Sequence, residues 1–204
     1  MTSKAYMIQV RPISILVMFF IVSMSFAQDP EFKFGEVDKP LILDNPDLVI
    51  WHVKAMRPNG KIYHVKAIDK DGNIHPVKAI QDSEQTQLLG VKAFVDGKEL
   101  PIKLIVKEDD RYYPLKAIDK EGNLINIKAL TDKNEILDVK GVSKTGNIVH
   151  IRAIRNDSVF YNLVAISPQG RTNMVKGIKM TKEEVETVIN GVKVFAHVKA
   201  LAKQ

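Results

Sequence analysis

Residues Lys61–Ile80, KIYHVKAIDKDGNIHPVKAI, contain the same short phrase twice. An apolar residue, Lys, Ala and a second apolar residue are followed by a polar turn of Asp, Gly and Asn. The phrase recurs to the C-terminus. Its central apolar residues are Val53, Val65, Val77, Val91, Ile102, Leu115, Ile127, Val139, Ile151, Leu163, Val175 and Val198. Most spacings are 12 residues, and self-similarity at a fixed period takes precedence over any local reading.

With the central residue as position 0, position −2 is Trp51, Tyr63, His75, Leu89, Leu100, Tyr113, Ile125, Leu137, Val149, Tyr161 and Asn173 in the first eleven repeats. Position +2 is Ala or Gly everywhere except Leu104. Positions −2, 0 and +2 therefore make one almost wholly apolar face with the period of a strand. On the other face, position +1 is Lys or Arg in eleven of twelve repeats, and His, Pro, Asn, Asp or Gly is common at position −1. That face is expected to meet solvent.

The connections decide how strands pair. Asp69-Lys70-Asp71-Gly72-Asn73 and Asp119-Lys120-Glu121-Gly122-Asn123 suit a type I turn followed by a left-handed Gly. Hairpins make antiparallel neighbours, so the chain is expected to meander with 0 opposite 0 and +2 opposite −2. Lys at +1 would then lie opposite −1, away from other lysines. A parallel solenoid would stack lysines about 4.8 Å apart and is the rival. An all-β fold of about twelve short antiparallel strands follows, closing into a barrel-like or two-sheet sandwich arrangement because large twisted sheets curl. A trefoil or prism would need a four-strand superperiod, which is absent. An outer-membrane barrel would need strands of 9–11 residues, longer than these.

Thr181–Asn190, TKEEVETVIN, interrupts the repeats. Thr181 with Glu184 fits a capping box, Val185, Val188 and Ile189 form a stripe, and Asn190-Gly191 offers a stop. A short helix is expected there.

The first 27 residues read as a signal peptide. Lys4 and Arg11 precede the apolar run Ile13–Ala27, and Ser25 and Ala27 are small residues before a cut at Gln28. Residues 28–47, with Pro30, Pro40 and Pro46, read as an extended arm, a disordered linker being the alternative. Residues 48–204 form a single β-repeat domain. After cleavage nothing spans a membrane, and a periplasmic or secreted location is expected. With no cysteine in the chain there is no disulfide framework or thiolate site. The formal charge is +6, and losing Lys4 and Arg11 leaves +4, which permits attraction to anionic surfaces.

No G-x-S-x-G, H-E-x-x-H or phosphate-binding Gly loop occurs. A non-enzymatic binding or structural role in the envelope or outside the cell is expected, with no cofactor. The candidate ligand-binding residues are Lys54, Lys66, Lys78, Lys116, Lys128 and Lys140, a basic face for an anionic polysaccharide, a lipid headgroup surface or an acidic protein. A solubilising outer face is the plainer account of the same row. Nucleic acid is disfavoured by export and by the lack of an aromatic stacking platform. The rival class is a metal-binding protein or metal-dependent enzyme using His52, His64 and His197, should the last strand close beside the first. Asp69-x-Asp71-Gly72-Asn73 resembles the start of a calcium loop but lacks its later ligands.

The V-K-A-I phrases and D-x-x-G-N turns behind a leader ending Phe26-Ala27-Gln28 resemble uncharacterised secreted bacterial repeat domains, over about Leu48 to Gln204. That resemblance implies no activity for particular residues.

Overall fold

The computed structural model describes residues 47–185 and 187–202. The leader expected at residues 1–27, and the expected arm up to residue 46, lie outside them. Thirteen strands form one antiparallel sheet: β1 (Val49–Met56), β2 (Ile62–Ile68), β3 (Ile74–Gln81), β4 (Leu88–Val95), β5 (Lys98–Ile105), β6 (Tyr113–Ile118), β7 (Leu124–Leu130), β8 (Ile136–Thr145), β9 (Ile148–Arg155), β10 (Val159–Ile166), β11 (Thr172–Ile178), β12 (Thr187–Ile189) and β13 (Val192–Ala202). No helix occurs among the described residues.

Successive repeats pair antiparallel, as the hairpin chemistry requires. Gly72 and Gly122 have φ of 83° and 85°, and their amides donate to Asp69 and Asp119 carbonyls at 3.2 Å. That is the expected type I turn with a left-handed Gly.

The sheet branches, and so accommodates more strands than a single open order would. In β1, β2 and β3 each strand splits one edge between the other two. The end of β1 pairs with the start of β2, the end of β2 with the start of β3, and the end of β3 with the start of β1. Three more triads do the same: β4, β5 and β13, β6, β7 and β8, and β9, β10 and β11. We number these triads I (β1–β3), II (β4, β5, β13), III (β6–β8) and IV (β9–β11). The opposite edges form six further ladders, which join every triad once to each of the others. This is the connectivity of the corners and edges of a tetrahedron.

The apolar faces merge into one buried cluster containing all twelve position-0 residues and every Ala at +2. Between triads, position 0 faces the small +2 residue, as in Val65 opposite Ala129 and Ala67 opposite Ile127. Within a triad, +2 faces the bulky −2 residue, as in Ala79 opposite Trp51. Ala and Gly at +2 are thus met by large groups on both sides. Leu104, which faces Leu115 on β6, is allowed because its partner within triad II is Ala196 and because Gly141 and Gly177 adjoin it.

The helix expected at 181–190 does not form. Residues 187–189 are β12, hairpinned onto β13 through Asn190 and Gly191 at φ of 49° and 82°. Both positive angles make the type I′ hairpin turn that Asn-Gly favours. A ten-residue helix is marginal on its own, and Val185, Thr187, Val188 and Ile189 are β-branched residues that fit strands better. A bulge between Val194 and Ala196 turns Phe195 into the core, where it stacks on Tyr113 at 3.8 Å.

Candidate functional site

The +1 cations lie on the face opposite the core, where Lys66 is buried and the others are half-buried. Within triads the expected register holds, with +1 opposite −1. Lys54 Nζ donates to His64 Nδ1 at 2.9 Å, Lys78 to His52 Nδ1 at 3.0 Å and Lys176 to His150 Nδ1 at 3.0 Å. Lys103 donates to His197, Lys116 to Asn126 and Lys128 to Asp138 in the same sense. An ammonium can only donate, so each imidazole accepts through Nδ1 and carries its proton on Nε2. The Nε2–H of His150 donates to Thr145 Oγ1 at 3.0 Å.

Between triads the expectation of separated lysines fails. The +1 residues face one another across five of the six ladders: Lys66 and Lys128, Lys78 and Lys92, Lys103 and Lys116, Lys140 and Arg152, Lys176 and Lys199. The sixth sets Lys54 against Val164. Packing is the reason. A shift by two residues puts 0 opposite +2, which keeps large against small in the core, and the outer face must follow. Direct like-charge pairs are unfavourable in a sheet, so core complementarity overrides surface repulsion here.

The six candidate lysines fall into two groups, Lys54, Lys66 and Lys78 at triad I and Lys116, Lys128 and Lys140 at triad III. The facing pair Lys66 and Lys128 joins the groups. A shallow depression at triad I is lined by His52, Lys54, His64, Lys66 and Lys78 among others. At triad III the chain supplies its own counter-anion. Asp138 pairs with Lys128, lies 3.9 Å from Lys140, and shares Lys140 with Asp110 at 3.6 Å. Burial raises the Asp138 pKa, but Lys128, Lys140 and Lys116 outweigh it and hold the carboxyl below its ordinary value. Burial and the two neighbouring lysines lower Lys116 in turn.

Triad IV departs from the row twice. Arg152 is the one Arg at +1 and Val164 the one non-cation. Both departures are legible in the sequence, but the grouping that brings them together is not. The register places Asn162 opposite Arg152 and His150 opposite Lys176.

The three histidines of the metal reading are not gathered. β1 pairs with β10, β2 and β3, whereas β13 pairs with β11, β4, β5 and β12. His197 stands opposite Lys103 in triad II, away from the triad of His52 and His64. Each of the three presents Nδ1 to a lysine. Among the described residues no group of three His, Cys, Asp or Glu is placed to hold a metal. The Asp69 loop is turn chemistry: Oδ1 accepts the amides of Asp71 and Asn73 at 2.9 Å, and Oδ2 lies 3.0 Å from Asn73 Nδ2 and 2.9 Å from His75 Nε2. A separate cavity of about 350 Å³ lies among the turns at 95–101, 118–125 and Asn190, with Leu100, Ile118 and Ile125 in its wall.

A family model described as a family of unknown function, DUF7486, matches residues 47–201. No curated protein and no solved structure matches the chain.

Proposed function

The chain belongs to this family of unknown function, and we propose that it is an exported, non-enzymatic protein that binds an anionic polysaccharide of the envelope through its outer cations. The observation that carries the reading is the register between triads. Cation faces cation across five of six ladders, so positive charge is concentrated at repeated spots. A polymer with regularly spaced acidic groups would engage several spots at once, gaining avidity without a deep pocket. Export is supported by the leader-like segment with Lys4, Arg11 and Ala27.

The test is binding of the mature protein to an acidic polysaccharide, with anionic vesicles as a second arm. The variant is Lys116→Gln, Lys128→Gln and Lys140→Gln together. Polymer affinity should fall at least several-fold, and wild-type affinity should fade as salt shortens the Debye length toward about 3 Å at 1 M. An unchanged affinity in the triple variant, or no wild-type binding at low salt, would overturn the reading. Binding to vesicles alone would transfer the surface to lipid headgroups.

A further inference from the structure

We infer that triad IV is a discrete seat for one tetrahedral oxyanion, a phosphate or sulfate group, held between Arg152 and Lys176. The biological source of that group, a substituent on the polymer, rests on the function proposed above. The seat itself does not.

Two independent observations lead to it. The first is uncompensated charge. Arg152 and Lys176 are both half-buried, and among the described residues neither makes an ion pair. Arg152 Nη1 donates to its neighbour's carbonyl, Ile151 O, at 3.2 Å. That bond fixes the guanidinium and leaves Nε and Nη2 as donors in the fork geometry that suits an oxyanion. Lys176 spends one donor on His150 Nδ1 and has two more. Burial lowers both cations' pKa values, and Arg152 adds to the effect on Lys176. Half-burying two cations on neighbouring strands of one triad without a counter-charge is costly, and a bound anion would remove that cost.

The second is the chain's own precedent. In triad III the equivalent place is filled by the Asp138 carboxylate, which draws on Lys128 and Lys140 together. An oxyanion at the meeting point of three strands is therefore an arrangement this fold already builds. Triad IV has His150, Asn162 and Met174 at its −1 positions, none of them acidic. It also replaces one cation by the buried Val164. The remaining pair is an Arg and a Lys instead of three lysines.

Thermal unfolding in sodium phosphate and sodium sulfate, against sodium chloride at equal ionic strength, tests the seat without any polymer. Wild-type Tm should rise by about 2–4 °C once the oxyanion exceeds its Kd several-fold. Arg152→Gln and Lys176→Gln should each abolish that rise, and Arg152→Lys should reduce it. The triple Lys→Gln variant of triad III should keep it. Asp138→Asn should gain a second phosphate-dependent rise, because it vacates the built-in anion of triad III. Equal responses in wild type and Arg152→Gln, no wild-type response, or no gain in Asp138→Asn would each overturn the proposal. Polymer binding without the Arg152-dependent rise leaves the function standing and the seat refuted. The rise without polymer binding leaves the seat standing and refutes the polymer.

Discussion

Gly177→Ala adds one methyl group where the core has no room. Its Cβ would lie 2.4 Å from Leu104 Cδ1, 3.1 Å from Val149 Cβ and 3.4 Å from Ala196 Cβ. Leu104 is wholly buried and cannot swing aside freely, because Gly141 flanks its other methyl, with a Cβ position 3.0 Å from Cδ2. Overpacking of this kind costs about 1–3 kcal/mol, more than the roughly 0.4–1 kcal/mol that Ala gains over Gly through the unfolded chain. Leu104→Ala alone should cost about 2–5 kcal/mol for the cavity it leaves. In the double variant the methyl group added by Gly177→Ala enters that cavity, so the two costs should not add. We expect the double variant to be more stable than the sum of the singles by at least about 1 kcal/mol, within the range for residues in contact. Urea unfolding checks this, provided the m value is unchanged so that midpoints report stability. Additivity within about 0.5 kcal/mol would mean that Leu104 does not occupy the space beside Gly177, and the account of the single large +2 residue would fail.

Three further outcomes follow from the turns and the titrating groups. Gly60 and Gly122 have nearly equal φ, 80° and 85°, but a Cβ at Gly60 meets nothing within 4 Å whereas one at Gly122 lies 2.3 Å from Asn190 O. Gly122→Ala should therefore destabilise by about 1–3 kcal/mol more than Gly60→Ala in urea unfolding, and equal losses would show that the β12–β13 turn does not press on the Asp119 turn. Burial acts to raise the Asp69 pKa, but hydrogen bonds with His75, Asn73 and Asp71 win and lower it from 3.8 to about 2. The unfolded chain thus binds the proton first as acid is added, so this contribution is present above pH 3.8 and is lost toward pH 2. Asp69→Asn should flatten that part of the stability profile. His150 is held below its ordinary 6.5 by burial, Lys176 and Arg152, which again favours protonation of the unfolded chain. Stability should fall as pH drops below about 6.5, and His150→Gln should lessen the fall in a chemical-denaturation series.

The strands and hairpins were legible in the sequence because their causes are local. Apolar residues two apart, as in Tyr63, Val65 and Ala67, require an extended chain with one buried face, and D-x-x-G-N requires a tight reversal. The segment at 181–190 carries helix cues that are equally local, and Asn190-Gly191 serves a helix stop and a type I′ turn alike. Arg152 and Val164 depart from the lysine row in the sequence, yet nothing in their spacing says that they share a triad.

The sequence by itself determined which residues are core, which face carries the cations, and that successive repeats run antiparallel. Tertiary structure alone decided the branching into four triads and the ladders between them. A repeat with large residues at 0 and small ones at +2 can pair with 0 opposite 0 or with 0 opposite +2, and local chemistry favours neither. Closing twelve repeats and one added hairpin around a common core uses both, the first within triads and the second between them. That choice brings Lys66 against Lys128 and leaves Arg152 and Lys176 together without a carboxylate. Volume complementarity inside the core sets the register, and the charge pattern outside is its consequence.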